Sequence, residues 1–565
     1  MALTRRALGG LTLGGSAAFT LAACGGNEGD GGSGATELTW GVSSAWESWN
    51  ENTQSGNNSY GHQAMYPMRY GLDGNTSGDW DENGEFHLAD QVFADAQVIS
   101  EAPLQVEYTL QENAQWSDGQ PIRVEDFIFQ WYSISGLPEH ADQTKALPAS
   151  TSYGPNIASI EASEAGFVVT FVDGYLDPEW LYSPTIYLPS HVIEAEGFAD
   201  WQTDPAVMGE AIAWSESNLI DVVVGPYKPV DYKMGQYITY ELNDKWNGSV
   251  KPTVKKLTMK VVEGTPAIVT ELRQGTIAGA WPSEFDQEQF DKAAEDQALA
   301  QEIYEGGVWL HIDTNYNSEP LKDQALRQAI FTAINVDDAI ARVFPDTEVS
   351  RRLNHFFGVN SEYFVDHITP TGQGSGDTAA AAQILTEAGY TGAAEGETLT
   401  KDGTAVPNLV FRYGEGDAAR TTIAELAQAQ LALIGLTVDI VAIPDGDLGT
   451  VLTEGDFDLV IFGWSGSPSF VAAPNQYFET GVNYGSYSFP ELDEAIAKVK
   501  STSDVAEAAQ FANDVEAIAV PLALTLPLFD EPQGILWNTN LIDGVVGNGN
   551  SQGGPIFNCA EWKTV

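Results

Sequence analysis

The chain has 565 residues, of which 43% are hydrophobic and 11% aromatic, so it has ample material for a large core and is not a disordered or collagen-like polypeptide. Its 25 basic against 80 acidic residues give a formal net charge of −55. A surface that negative repels phosphate backbones and excludes nucleic-acid binding through a basic face.

The chain opens on an export signal. Arg5 and Arg6 precede an apolar run from Ala7 to Ala23, and Thr4-Arg5-Arg6-Ala7-Leu8 has the form of a twin-arginine leader that the general secretory route would also accept. Leu21-Ala22-Ala23-Cys24 resembles a bacterial lipobox, which makes Cys24 the expected lipidation site and residues 1–23 a lipoprotein signal peptide. Residues 24–35, rich in glycine, form a tether. No later segment approaches the roughly 18 apolar residues a membrane span needs, so the expected membrane attachment is the lipid alone. With Cys24 lipidated, Cys559 is left without a cysteine to pair with.

Beyond Glu37 strand-like and helix-like segments alternate, which predicts α/β layers. Leu38–Gly41 starts a first strand; Leu104–Leu110, Phe167–Phe171 and Tyr237–Leu242 alternate with the two-residue period of half-buried strands. Leu326, Ala329, Ile330, Ala333 and Ile334 share a helical face, as do Ile423, Leu426, Ala427, Leu431 and Ile434 with Gly435 as the stop. Ser488-Phe489-Pro490-Glu491 reads as a capping box opening a helix that carries Leu492, Ala495, Ile496 and Val499. Between the last two, Thr437–Val441 and Phe457–Phe462 are strands of a βαβ-type half.

Several segments carry a resemblance. Leu110 to Ile122, containing Trp116-Ser117-Asp118-Gly119, then Glu125-Asp126-Phe127, are similar to the signature of the family 5 extracellular solute-binding proteins, the oligopeptide and dipeptide receptors of ABC importers. Gly225-Pro226-Tyr227, Asn243–Asn247, Leu272-Arg273-Gln274-Gly275, Pro320–Ala329, Ala388-Gly389-Tyr390, Phe462-Gly463-Trp464, Pro490–Asp493 and Val520-Pro521-Leu522 follow in the family's order. The resemblance implies an α/β, two-lobed periplasmic-binding-protein-like fold of type II with an extra subdomain in the first lobe. Carried onto this chain, lobe one takes 36–306 and 531–565, the subdomain about 72–189, and lobe two 307–530. Hinge crossings fall near Leu310–Asp313 and Leu526–Phe529. It further implies a monomer that passes a peptide or peptide-like solute to ABC permease subunits at the outer face of the cell membrane, periplasmic where there are two membranes, with no cofactor and no bond cut.

The expected ligand residues lie in three loops. Trp464, Ser465, Gly466 and Ser467 follow a strand of the second lobe, where open α/β layers bind ligands. In peptide receptors of the family an aspartate shortly after this tryptophan meets the ligand's amino group, but here no acid appears before Glu479. Asp417 and Asp445 are substitutes, or the ligand lacks a free amino terminus. Arg412, Tyr413 and Asp417 sit at a strand-to-helix turn, where Arg412 could receive a carboxylate. Ser43, Ser44 and Trp46 form the matching loop of the opposite lobe. Asp79, Asp81, Asn83 and Asp90 have calcium-loop spacing, which an Asn-Gly hairpin tip explains equally well. The seven histidines show no zinc-ligand spacing, and there is no His-Glu-x-x-His, Gly-x-Ser-x-Gly or P-loop for the rival reading of a secreted hydrolase. The same trap holding an oligosaccharide or a chelated metal, or reporting a peptide without importing it, remains as an alternative.

Overall fold

The computed structural model describes residues 36–565 apart from 152–153, 283–284, 416, 445–446 and 466–467. The export leader, Cys24 and the tether lie outside the described residues, as do Asp445, Gly466 and Ser467.

Ten strands make one main sheet. Numbered along the chain within that sheet, they are β1 (Glu37–Val42), β2 (Tyr227–Lys233), β3 (Tyr237–Leu242), β4 (Lys256–Val261), β5 (Gly279–Trp281), β6 (Leu299–Thr314), β7 (Leu409–Gly414), β8 (Val438–Ile443), β9 (Leu459–Ser465) and β10 (Thr525–Asn538). Their spatial order is β8-β7-β9-β6-β10-β5-β1-β4-β3-β2. β1 runs parallel to β4 and β5, and β7 parallel to β8 and β9. β6 and β10 run antiparallel to each other and to their outer neighbours.

Each flank of the sheet has its own core, because each parallel set is buried and must be covered. Trp40, Tyr227, Tyr240 and Met259 anchor the first; Phe411, Ile423, Leu431 and Ile461 anchor the second. The helix Ala418–Ala432 covers the second core with the apolar face its sequence predicts, and Gly435 stands past its end at φ +78°. Two lobes thus share a sheet, the α/β architecture the resemblance implies.

β6 and β10 lie at the centre of the main sheet and pair with each other between its two flanks. Leu299–Glu305 pairs with Asn538–Pro532 on the first-lobe side, and Trp309–Asp313 with Asp530–Thr525 on the second. The register breaks between Glu305 and Trp309, and again between Leu310 and His311. Gly306 and Gly307 fill the first break; a Cβ on Gly306 would lie 2.5 Å from the Glu531 carbonyl oxygen, so no larger residue fits there unless the strands part.

A four-stranded antiparallel sheet, in the order Phe93–Glu101, Leu104–Leu110, Gly166–Phe171, Ile157–Ala162, packs on the helix Val124–Ile134. Its apolar cluster runs from Leu72 to Val224 and takes in the helix Pro205–Ser217. The Trp116–Gly119 motif closes a tight turn with Gly119 at φ +86°. Asp126 in the first turn of the following helix fastens that turn: buried, it accepts from Trp116 Nε1 at 3.1 Å and from the Arg123 N–H at 2.9 Å. Its other oxygen accepts from Ser190 N and Oγ. The acidic helix start in the motif is therefore a fastening between turn, helix and chain.

One cap differs from expectation. The helix Pro490–Val499 begins with Phe489 as N-cap and has no side-chain cap bond; Ser488 is one residue too early, and its hydroxyl accepts from Thr480 instead. Pro490 stands at the first helical position, where its fixed φ suits the helix and its missing N–H is one that would have no partner within the helix. The Leu272–Gly275 turn matches its reading: Gly275 ends the helix Thr265–Gln274 at φ +69°. A Cβ there would meet nothing nearer than Leu541 at 3.7 Å, so Gly275→Ala should cost only the left-handed backbone penalty, about 1 kcal/mol, measurable as a lower urea midpoint.

Candidate functional site

The carboxyl end of β9 carries Trp464 into a cluster of rings. Tyr484 stacks on it with centroids 5.7 Å apart and 9° between planes. His311, from β6, lies parallel to it at 5.9 Å, and Tyr477 is 5.1 Å away. Trp464 is half-buried. His311 is fully buried, and neither ring nitrogen has a hydrogen-bond partner among the described residues. Behind it Trp309 is buried beneath the Arg352 guanidinium, 4.7 Å over its ring, and Arg352 is paired with Asp530 at 2.5 Å. These groups flank the register break of β6 and β10, so any bend there moves an aromatic wall.

Charged groups sit over the same strand ends. Gly463 and Gly414 leave room for Arg420: a Cβ at either would stand 3.4 Å and 3.8 Å from its guanidinium nitrogens. Arg420 Nη1 pairs with Asp417 Oδ2 at 3.0 Å, Nη2 is 3.9 Å from Glu531 Oε1 on β10, and Nε has no partner among the described residues. Burial raises the Glu531 carboxyl above its ordinary range; Arg420 opposes the rise and Asp417 adds to it. The set offers stacking surface together with both signs of charge, which suits a solute having flat and polar parts.

The expected residues divide. Trp464 and Asp417 reach this region, Asp417 also capping the helix through the Arg420 N–H. Ser465 continues β9. Arg412 does not offer a free fork: its Nε donates to the Asp456 carbonyl oxygen and its Nη2 to the Asp456 carboxylate. Tyr413 packs at the edge of the second core. Trp46 is 2% exposed and belongs to the first core, edge-on to Trp49. Ser43 is buried and Ser44 half-buried. Among the described residues, no hydrogen bond or ring contact joins this loop to the Trp464 cluster. Two hollows of about 20 and 480 Å³ lie along 218–220, and neither is lined by a residue of that cluster.

The calcium spacing resolves into a hairpin of Gly78–Trp80 and Phe86–Leu88, in which Asp79 faces His87 across the strands. Its four members go to different partners. Asp79 accepts from the Tyr66 and Ser551 hydroxyls, Asp81 from the N–H groups of Asn83 and Glu85, and Asp90 from the Ser249 N–H, while Asn83 is exposed. Of the four, only Asp81 belongs to a cluster of ligand-type groups among the described residues, with ligand atoms of its carboxylate, the Glu85 carboxylate and the His87 ring within 4.8 Å of one another.

His311 escaped the sequence reading because it meets Trp464 through strand pairing across more than 150 residues; Tyr477, Tyr484 and Arg420 reach the region from a helix, a turn and a helix whose packing no local pattern states.

Comparison with known proteins decides the class. The model for bacterial extracellular solute-binding proteins, family 5 (middle), matches residues 89–486. The chain belongs to this family. The oligopeptide-binding protein OppA of Mycobacterium tuberculosis is 27% identical over 452 residues, covering 78% of this chain and 71% of the relative. An uncharacterized lipoprotein of Mycobacterium leprae is 26% identical, covering 97% of this chain and 96% of its own length. The structure of the periplasmic EDTA-binding protein EppA superposes with a TM-score of 0.79 at 24% identity, covering 94% of this family 5 chain and 97% of its own. Among the described residues no helix is long and apolar enough to cross a membrane.

Proposed function

We propose that this family 5 protein is the lipid-anchored receptor of an ABC importer, holding a peptide or peptide-like solute between its lobes and handing it to the permease subunits. The observation that carries the reading is the Trp464 ring cluster at the carboxyl end of β9, with His311 of β6 in it beside the register breaks of β6 and β10. The hinge crossings, expected near Leu310–Asp313 and Leu526–Phe529, adjoin the two register breaks of these strands, and ligand contact with both sides favours the closed arrangement. Residues 36–306 with 531–565 move as one body and 307–530 as the other. Trp464 and Tyr484 grip the solute by stacking, while Asp417, Arg420 and Glu531 read its polar ends. The protein is a monomer held outside the cell membrane through lipid on Cys24, in agreement with the lipoprotein relative. It binds without chemistry.

A second reading rests on a specific feature. The sequence between Trp464 and Glu479 carries no acid, whereas Arg420 beside Trp464 has an Nε with no partner among the described residues, which favours an anionic solute such as a metal chelate. The EDTA-binding protein EppA, of similar structure, fits that alternative.

A thermal-shift screen over di- to octapeptides, oligosaccharides and nickel chelates separates them. A ligand at 100 times its Kd adds about 2.7 kcal/mol, so a hit should raise Tm by a few degrees. Peptide hits support the first reading. Hits confined to chelates replace the solute, and hydrolysis of any captured molecule overturns the receptor itself.

A further inference from the structure

We propose that Glu179 is a positioning residue that fastens the Trp464 loop to the opposite lobe on closure and makes closure take up a proton. The inference rests on the two-lobed receptor reading and adds a control to it.

Glu179 lies in the subdomain of lobe one, just before the turn Trp180–Tyr182. Its Oε2 accepts from Ser469 Oγ at 2.7 Å, and its Oε1 from the N–H groups of Phe470 at 2.8 Å and Val471 at 3.3 Å. Those three residues begin five positions after Trp464 and belong to lobe two. Phe470 and Val471 are buried against Phe357 and its neighbours, so the fastening holds a packed segment. Two further bonds join the same faces. Trp180 Nε1 donates to the Ser503 carbonyl oxygen at 3.2 Å, and Ser503 Oγ donates to Glu101 at 2.6 Å. One carboxylate thus holds two consecutive backbone N–H groups of the loop that ends in the ligand wall.

The surroundings give the fastening a pH dependence. Asp177, Tyr175 and Tyr182 face Glu179 from its own segment; across the junction Tyr363 neighbours Tyr182 and Lys500 faces Asp177. Burial first, and the Asp177 carboxylate second, push Glu179 up to about 7 against its three donors. Burial also raises Asp177. When the lobes part, water reaches Glu179 and its carboxyl returns toward 4.5. A group raised in the closed form favours closure fully below its open-state value, and that advantage is lost as pH rises from 4.5 through 7.

The test needs no solute. Small-angle scattering of the ligand-free protein at pH 5.5 and pH 8 should show a closed-to-open ratio about tenfold or more higher at the lower pH, read as a smaller radius of gyration. Glu179→Gln keeps an acceptor for the backbone N–H groups but cannot ionise, and should stay compact at both pH values. Glu179→Ala should be expanded at both. Ser469→Ala, which removes one donor and carries little folding risk, should open the molecule more at pH 8 than at pH 5.5. A radius that does not change with pH in the wild type, or a pH response that persists in Glu179→Gln, overturns the proposal; far-UV circular dichroism confirms that each variant is folded. If a hit from the solute screen compacts wild type and Glu179 variants alike at both pH values, the fastening fails while the receptor reading stands.

Discussion

Glu51→Ala should destabilise the protein by about 3–5 kcal/mol, the range for stripping one partner from a buried charge network. Glu51 lies between two cations inside lobe one. Its Oε2 is 3.0 Å from His62 Nδ1, and its other oxygen accepts from Arg69 Nη1, while His62 Nε2 is 3.0 Å from Asp73. The Arg69 guanidinium also lies 4.4 Å over the Tyr187 ring. All four charged side chains are buried. Alanine would leave Arg69 and His62 with Asp73 as the only carboxylate bonded to either of them. Burial alone would lower the His62 value, but Glu51 and Asp73 outweigh it and hold the imidazolium up to about 10. The same cations hold Glu51 well below its usual range despite burial. The signs follow from linkage. The Glu51 contribution is complete above pH 4.5, and the His62 contribution is complete below pH 6.5 and is lost as pH rises toward 10. Urea midpoints at pH 6 and pH 9 should therefore differ for wild type and far less for Glu51→Ala. Equal midpoints for the two proteins at pH 6 would refute the network's role.

Trp464→Ala should weaken solute binding by roughly 1–3 kcal/mol, up to about a hundredfold in Kd, while changing Tm of the free protein little. The indole is half-buried, with the Tyr484 and His311 rings parallel to it and Tyr477 beside it, so truncation removes the half-exposed member of a ring cluster rather than a fully buried core residue. Trp464→Phe should recover part of the loss because a flat ring remains. Titration with a hit from the thermal screen measures both. An unchanged Kd in Trp464→Ala would move the ligand elsewhere and undo the site assignment.

The local pattern of the sequence carried the fold far. Alternation at Leu104–Leu110 and at Tyr237–Leu242, and the apolar faces of the helices Gln324–Ala333 and Ala418–Ala432, depend on neighbours a few residues away, and the structure has these elements. Trp116 and Asp126 are close enough in sequence to read as a motif, although the indole-to-carboxylate bond that unites them is visible only in three dimensions. The Ser488 cap failed because a proline at the first helical position obeys a different rule from a serine one place earlier. The site was harder. Trp464 could be singled out as an aromatic after a strand, but its partners His311 and Tyr484 are brought to it by pairing and loop packing. Arg412 stands at a strand-to-helix turn in sequence, but its side chain turns back to Asp456, which no local pattern reveals. Buried aromatics such as Trp46 have the same letter code in a core as in a binding wall.

β10 sits at the middle of the main sheet between β6 and β5, yet it is made only after some 520 preceding residues. During synthesis the N-terminal half therefore waits with an uncovered strand edge, and neither body can finish before the other is nearly complete. Such distant pairing makes folding slow and leaves nascent chains open to aggregation. A chain stopped before Thr525 would lack the seam of both halves. Assembly of this molecule is in effect postponed to its last stage, which couples the integrity of the whole chain to the formation of either part.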